Sequence, residues 1–132
     1  MIDFKLYTEK QLNEIANTKE LLDSQGNYGL GCLVHEGNLT INEDWLSDEL
    51  YYEFSEKFGD DIGTIAILGD LIIDGELRIT DRLMCLFIQG NLKATIIETW
   101  ETEVFVTGNV EYKKIKDEED LIAILGKKIK IK

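Results

Sequence analysis

Hydrophobic residues recur along this chain in a strict alternation punctuated by glycine. Four glycines are each followed by Asn or Asp and then by Leu or Val: Gly37-Asn38-Leu39, Gly69-Asp70-Leu71, Gly90-Asn91-Leu92 and Gly108-Asn109-Val110. The positions four and two before each glycine, and two and four after it, read Leu33, His35, Leu39, Ile41; Ile65, Ile67, Leu71, Ile73; Leu86, Ile88, Leu92, Ala94; and Val104, Val106, Val110, Tyr112. Fifteen of the sixteen are apolar or aromatic, and the exception, His35, is the chain's only histidine. A period of two sets one row of side chains on one face of an extended strand. The glycine falls on that face and marks a bend where an inward side chain would not fit. A hairpin with a two-residue Gly-Asn turn would split the flanking residues between opposite faces. A three-residue loop would keep them together, so an antiparallel meander or sandwich stays open as the alternative.

Successive glycines are 32, 21 and 18 residues apart. The last two intervals fit one coil of a β-solenoid, whose apolar face is buried only by a neighbouring coil. The expected fold is therefore mainly β with α caps: a short right-handed β-solenoid of about four coils in a single domain. These glycine-punctuated repeats resemble those of bacterial polymer-forming, bactofilin-like proteins and of small proteins encoded beside bacterial toxins. The likeness implies a fold and carries no catalytic motif.

The expected layout is an N-terminal helical cap over 1–30, β-repeats over 31–41 and 64–115, an acidic helical insertion over 42–63 and a C-terminal cap over 116–132. In the first, Thr8 and Gln11 have capping-box spacing, and Leu12, Ile15, Ala16 and Leu22 share one side of a helix over 8–25 that Gly26 ends. This helix is expected to cover an open end of the sheet. In the insertion, Asn42 is the expected cap of a helix near 43–58 with a seam of Leu46, Leu50, Phe54 and Phe58, closed by Gly59. The C-terminal cap pairs a short helix, begun at Asp117, running through Leu121, Ile122 and Leu125 and stopped by Gly126, with an alternating strand over 127–132 that carries its lysines outward. The absence of proline suits a chain of regular ladders.

Charge sharpens the picture. The chain has 26 acids and 14 bases. Four of the bases lie in 127–132, so residues 1–126 carry 10 minus 26, a net of −16. Such a field repels nucleic acid and anionic membrane and attracts cationic partners. Nine of the acids and one base, Lys57, fall between Glu36 and Asp61. Acids interleaved with aromatics make a protein-binding surface, the aromatics as desolvated anchors and the carboxylates as steering charges. The candidate partner-binding residues are Glu43, Asp44, Trp45, Asp48, Glu49, Tyr51, Tyr52, Glu53, Asp60 and Asp61. A solvated helix face over the repeats is the plainer reading of the same residues.

Other chemistry is sparse. Cys32 and Cys85 each stand five residues before a repeat glycine, on outward positions two layers apart. Two strand spacings, about 9–10 Å, exceed the reach of a disulfide. Reduced thiols, the absence of a secretory pattern over Met1–Tyr7 and the lack of a long apolar run lead us to expect a cytoplasmic protein. One histidine and two separated cysteines do not make a metal site, and no cofactor is expected. His35 reads as a hydrogen-bonded core residue, and the Asn or Asp after each glycine as turn chemistry in a stacked polar row. Arg78, Asp81 and Arg82 suggest a local ion pair, and Trp100 among Glu98, Glu101 and Glu103 extends the acidic surface or folds over the core. No nucleophile motif or phosphate loop points to an enzyme.

In size, charge and repeat type the chain is similar to the immunity proteins of contact-dependent and polymorphic toxin systems. That resemblance implies a non-enzymatic toxin inhibitor, monomeric or weakly dimeric, with a basic, nuclease-type toxin domain as partner. The alternative is a self-assembling bactofilin-like solenoid, against which the capping elements argue.

Overall fold

The computed structural model describes residues 3–16, 30–59, 61–99 and 102–116, and the backbone of 124–130. Its elements are β1 (Lys5–Tyr7), α1 (Glu9–Ala16), β2 (Gly31–Glu36), β3 (Leu39–Ile41), α2 (Asp48–Phe58), β4 (Ile62–Leu68), β5 (Leu71–Arg78), β6 (Cys85–Ile88), β7 (Leu92–Glu98), β8 (Glu103–Ile115) and β9 (Ile124–Lys130). The fold is mainly β, a mixed sheet curled into a half-barrel. Its strands run in the order β1-β2-β4-β6-β8-β7-β5-β3, with β9 alongside β8.

The first three repeats contribute one strand before the glycine and one after it, the fourth runs through Gly108 as the single strand β8, and like pairs with like in parallel. Leu33, Ile65, Leu86 and Val104 form one rung of the first row; Leu39, Leu71, Leu92 and Val110 form one of the second. Every inward position read from the alternation is in the expected register, and parallel pairing of the repeats removes the antiparallel meander. A further ladder follows, which the glycine alignment did not reveal. Trp45 bridges Leu77 in parallel, Leu77 pairs with Ile97, and Ile97 with Ile115.

Gly69, Gly90 and Gly108 are required by the approach of the neighbouring repeat, whereas Gly37 has open space around it and is required by its left-handed φ of 97° at the bend. A Cβ on Gly69 would run into the carbonyl carbon of Gly37, and one on Gly90 would stand 2.6 Å from the Gly69 carbonyl oxygen. The polar row is a ladder of its own. Asn38 Oδ1 accepts from the Asp70 N–H, Asp70 Oδ1 from Asn91 and Asn91 Oδ1 from Asn109, each at 2.8 Å. Each turn side chain thus satisfies a backbone donor that the corner takes out of the strand pairing.

The inside of the curl holds the main core, from the inward rows together with Phe4, Trp45 and Leu46, and with Leu50, Phe54 and Phe58 packed against it. A second core lies outside the first row, where Leu12 and Ala16 of α1 meet Cys32, Val34, Ala66, Cys85 and Phe87. The capping box forms as expected, Thr8 N–H to Gln11 Oε1 at 2.9 Å and Gln11 N–H to Thr8 Oγ1 at 3.2 Å. The helix covers the sheet's outer face and not its end, and Ile15 is exposed rather than packed. The edge of β2 is instead occupied by β1, antiparallel to it. Leu22 and Gly26 lie outside the described residues.

Two boundaries differ from expectation. Helix α2 starts at Asp48, capped by Ser47 rather than Asn42. Trp45 and Leu46 are held in the ladder by Trp45 N–H to Glu76 O, Arg78 N–H to Trp45 O and Thr80 N–H to Leu46 O, so the pairing keeps them out of the helix. Ile124 and Leu125 belong to β9 and not to a helix, and Gly126 continues the strand. Lys127 pairs with Asn109, so Gly126 stands where the other repeats carry their glycine. Asp117, Leu121 and Ile122 lie outside the described residues.

Candidate acidic interaction surface

Helix α2 is built to present acids. Ser47 Oγ accepts from the Leu50 N–H at 3.2 Å, and Asp48 and Glu49 lie in the first turn, where the helix dipole favours negative charge. Gly59 ends it in the left-handed region at φ 64°, as the sequence indicated. Leu50, Phe54 and Phe58 recur every four residues and pack against the core. Phe54 meets Phe4 edge-on with ring centres 5.2 Å apart. Anchoring that side leaves Asp48, Glu49, Tyr52, Glu53 and Glu56 exposed.

The ten candidates therefore separate. Glu43, Asp44, Asp48, Glu49, Glu53 and Asp61 are exposed, as is Tyr52 at 50%. Trp45 and Tyr51 are buried at 3% and 8%, so neither is available as a surface anchor. The Tyr51 hydroxyl donates to the Ile62 carbonyl at 2.9 Å, and Trp45 Nε1 has no hydrogen-bond partner among the described residues. Asp60 and Trp100 lie outside the described residues. Two of the acids also have structural duties. Asp44 Oδ1 accepts from the Glu76 N–H at 2.9 Å, and Asp48 accepts from the Thr80 hydroxyl.

The loop after β5 joins this surface. Arg82 lies over the Tyr52 ring, its guanidinium carbon 5.6 Å from the ring centre. Arg78 pairs with Glu76 (Nε to Oε2, 2.5 Å) and not with Asp81. Between this loop and the start of α2 opens a cleft of about 400 Å3, reached by Asp48, Asp81 and Glu98. Glu98 is 7% exposed and was legible only as one acid among several. Its burial depends on the ladder beyond the second row, in which it pairs with Arg78.

The remaining chemistry is quiet. His35 is half-buried, its Nδ1 2.8 Å from the Asp3 carbonyl oxygen and its Nε2 3.3 Å from that of Asn38. Both cysteines are buried and not joined in a disulfide. Burial, with Glu9 adding, pushes the Cys32 thiol up to about 12. Cys85 is raised further, by burial first and then by Glu103 and Cys32. Among the described residues no group of three or more His, Cys, Asp or Glu is placed to hold a metal ion, and no helix is long and apolar enough to cross a membrane. Comparison with protein-family models, with characterised proteins and with solved structures returns no match.

Proposed function

We propose that this chain is a non-enzymatic binding protein that receives a cationic protein partner on the exposed face of α2, in the manner of a bacterial immunity protein neutralising a toxin domain. The observation that carries this reading is the composition of that face: Asp48, Glu49, Glu53 and Glu56 around the half-exposed ring of Tyr52, on a helix anchored from its other side. Fixed carboxylates steer a basic partner and an aromatic contributes the desolvated centre. Arg82 over Tyr52 adds a second residue type favoured in such centres. The curled sheet is read as a short β-solenoid, which the parallel, in-register rows support. The alternative, a bactofilin-like filament of coils stacked end to end, has less support because β1 occupies the edge of β2 that stacking would use.

The test is capture at low salt with two baits, the native chain and the variant Asp48→Lys, Glu49→Lys, Glu53→Lys. One basic domain held at equal stoichiometry by the native chain, lost from the variant and neutralised by the native chain when expressed, is the expected result. Capture of nothing but further copies of the chain in large assemblies overturns the reading in favour of the filament.

A further inference from the structure

The end of the sheet that the first repeat forms is only half covered. β1 lies along the edge of β2, but β3 ends the strand order and pairs with β5 alone. Leu39 gives its N–H to the Asp70 carbonyl, and successive residues of a parallel strand pair to alternate sides. The N–H and C=O of Thr40 therefore face away from β5, where no described strand lies. The corner before β3 is open in the same way. Asp70, Asn91 and Asn109 each give their N–H to the Asn or Asp side chain of the repeat before, whereas the equivalent N–H of Asn38 meets no acceptor among the described residues. A Cβ on Gly37 would likewise meet nothing within 4 Å, while those on Gly69, Gly90 and Gly108 would run into the preceding repeat. Apart from the inward Leu39 and Ile41, every residue of 36–44 is exposed. The unpaired edge and the vacant corner together describe the seat of one more strand.

We infer that β3 receives, as an added strand, an extended basic segment of the protein partner. Main-chain pairing to Thr40 holds the segment, and an oxygen set over the Asn38 N–H takes the place of the side chain that an earlier repeat would supply. Its charge follows from the flanks. Residues 36–44 carry Glu36, Glu43 and Asp44 and no base, so a strand bearing lysine or arginine is attracted and an acidic one is repelled. An edge strand of three residues offers few bonds, so this seat adds to the α2 face rather than replacing it. The inference rests on the reading of the partner as a cationic protein, and deepens it by naming the form in which part of that partner binds.

The probe is an acetylated, amidated peptide of four Lys-Val pairs, titrated against the whole chain with backbone amide shifts and hydrogen exchange as readouts. Saturable shifts at Asn38, Thr40 and Asn42 are expected, with the Thr40 N–H exchanging freely in the chain alone and slowed at saturation. The same peptide N-methylated throughout has no N–H to donate and should bind about tenfold more weakly; a Glu-Val peptide should also bind more weakly. Thr40→Pro removes the outward N–H while sparing the pairing to β5, and should weaken the Lys-Val peptide about fivefold. Thr40→Val keeps that N–H and should leave binding unchanged. The peptide comparisons use the native chain, so they decide the matter even if the proline variant fails to fold. A Thr40 N–H already protected in the chain alone, or equal binding of the Lys-Val peptide and either of its counterparts, overturns the seat. Protection that grows with protein concentration alone places a second copy on the edge and overturns it too. If the seat fails while the native chain captures a basic domain that the α2 charge-reversal variant loses, the function stands. Peptide binding at Thr40 by a chain that captures no partner keeps the seat and overturns the function.

Discussion

The strands before the repeat glycines and those after them share one inner core but differ on their outer side. Before the glycine, outer rungs such as Val34, Ala66 and Phe87 are as buried as the inner ones. After it, the outer rung of Thr40, Ile72 and Lys93 is exposed. The cause is α1, which lies over the first row and brings Leu12 and Ala16 against it. A strand covered on both faces needs a continuous apolar run, whereas one covered on a single face alternates. Gly31–Val34 and Cys85–Ile88 are continuous; Leu92–Thr95 alternates. The number of covered faces is therefore written in the outward positions.

Truncation should measure that difference. The largest effect is expected for Phe87→Ala, which opens a cavity beneath α1 and should cost about 3–4 kcal/mol in urea denaturation. Leu12→Ala, from the helix side, should cost about 3 kcal/mol and speed thiol labelling of both cysteines, because their cover loosens. The same burial predicts an alkaline weakness. Cys32 titrates near 12 in the folded chain against an ordinary 9.0, so the unfolded chain releases its proton first. Stability from this thiol is complete below about pH 9 and is lost as the pH rises toward about 12. The urea midpoint of Cys32→Ala should accordingly fall less steeply over that range than the native one. Asn91→Ala removes the acceptor of the Asn109 N–H and should cost about 1 kcal/mol. On the open face, Ile72→Ala should change stability by no more than about 0.5 kcal/mol. A cost equal to that of Phe87→Ala would mean that something covers this face too.

The inner register was legible because a period of two and a glycine at each corner repeat without error from Leu33 to Tyr112. The outer core was not, because the alternation only sets Cys32, Val34, Ala66, Cys85 and Phe87 opposite the inward row, and a helix that covers a face leaves no mark on that row. The start of α2 was misread because Leu46 continues the four-residue spacing of Leu50, Phe54 and Phe58. Backbone pairing with Thr80 decides its conformation, and pairing leaves no local periodicity. The further ladder escaped because the spacing after the glycine varies: Asp74 and Gly75 intervene between paired positions where β7 has Thr95 alone. Of the surface, the acids were legible from composition. Which aromatics remain outside depended on Trp45 joining that ladder.

The central claim is that fixed acids on α2 draw in a cationic partner. It is tested most directly by the association rate of the captured partner, followed from low to high ionic strength with the native chain and with the Asp48→Lys, Glu49→Lys, Glu53→Lys variant. The native rate should fall by about tenfold or more as salt is raised, and the variant should associate slowly at every salt concentration. Equal rates for the two chains, unchanged by salt, would contradict the account.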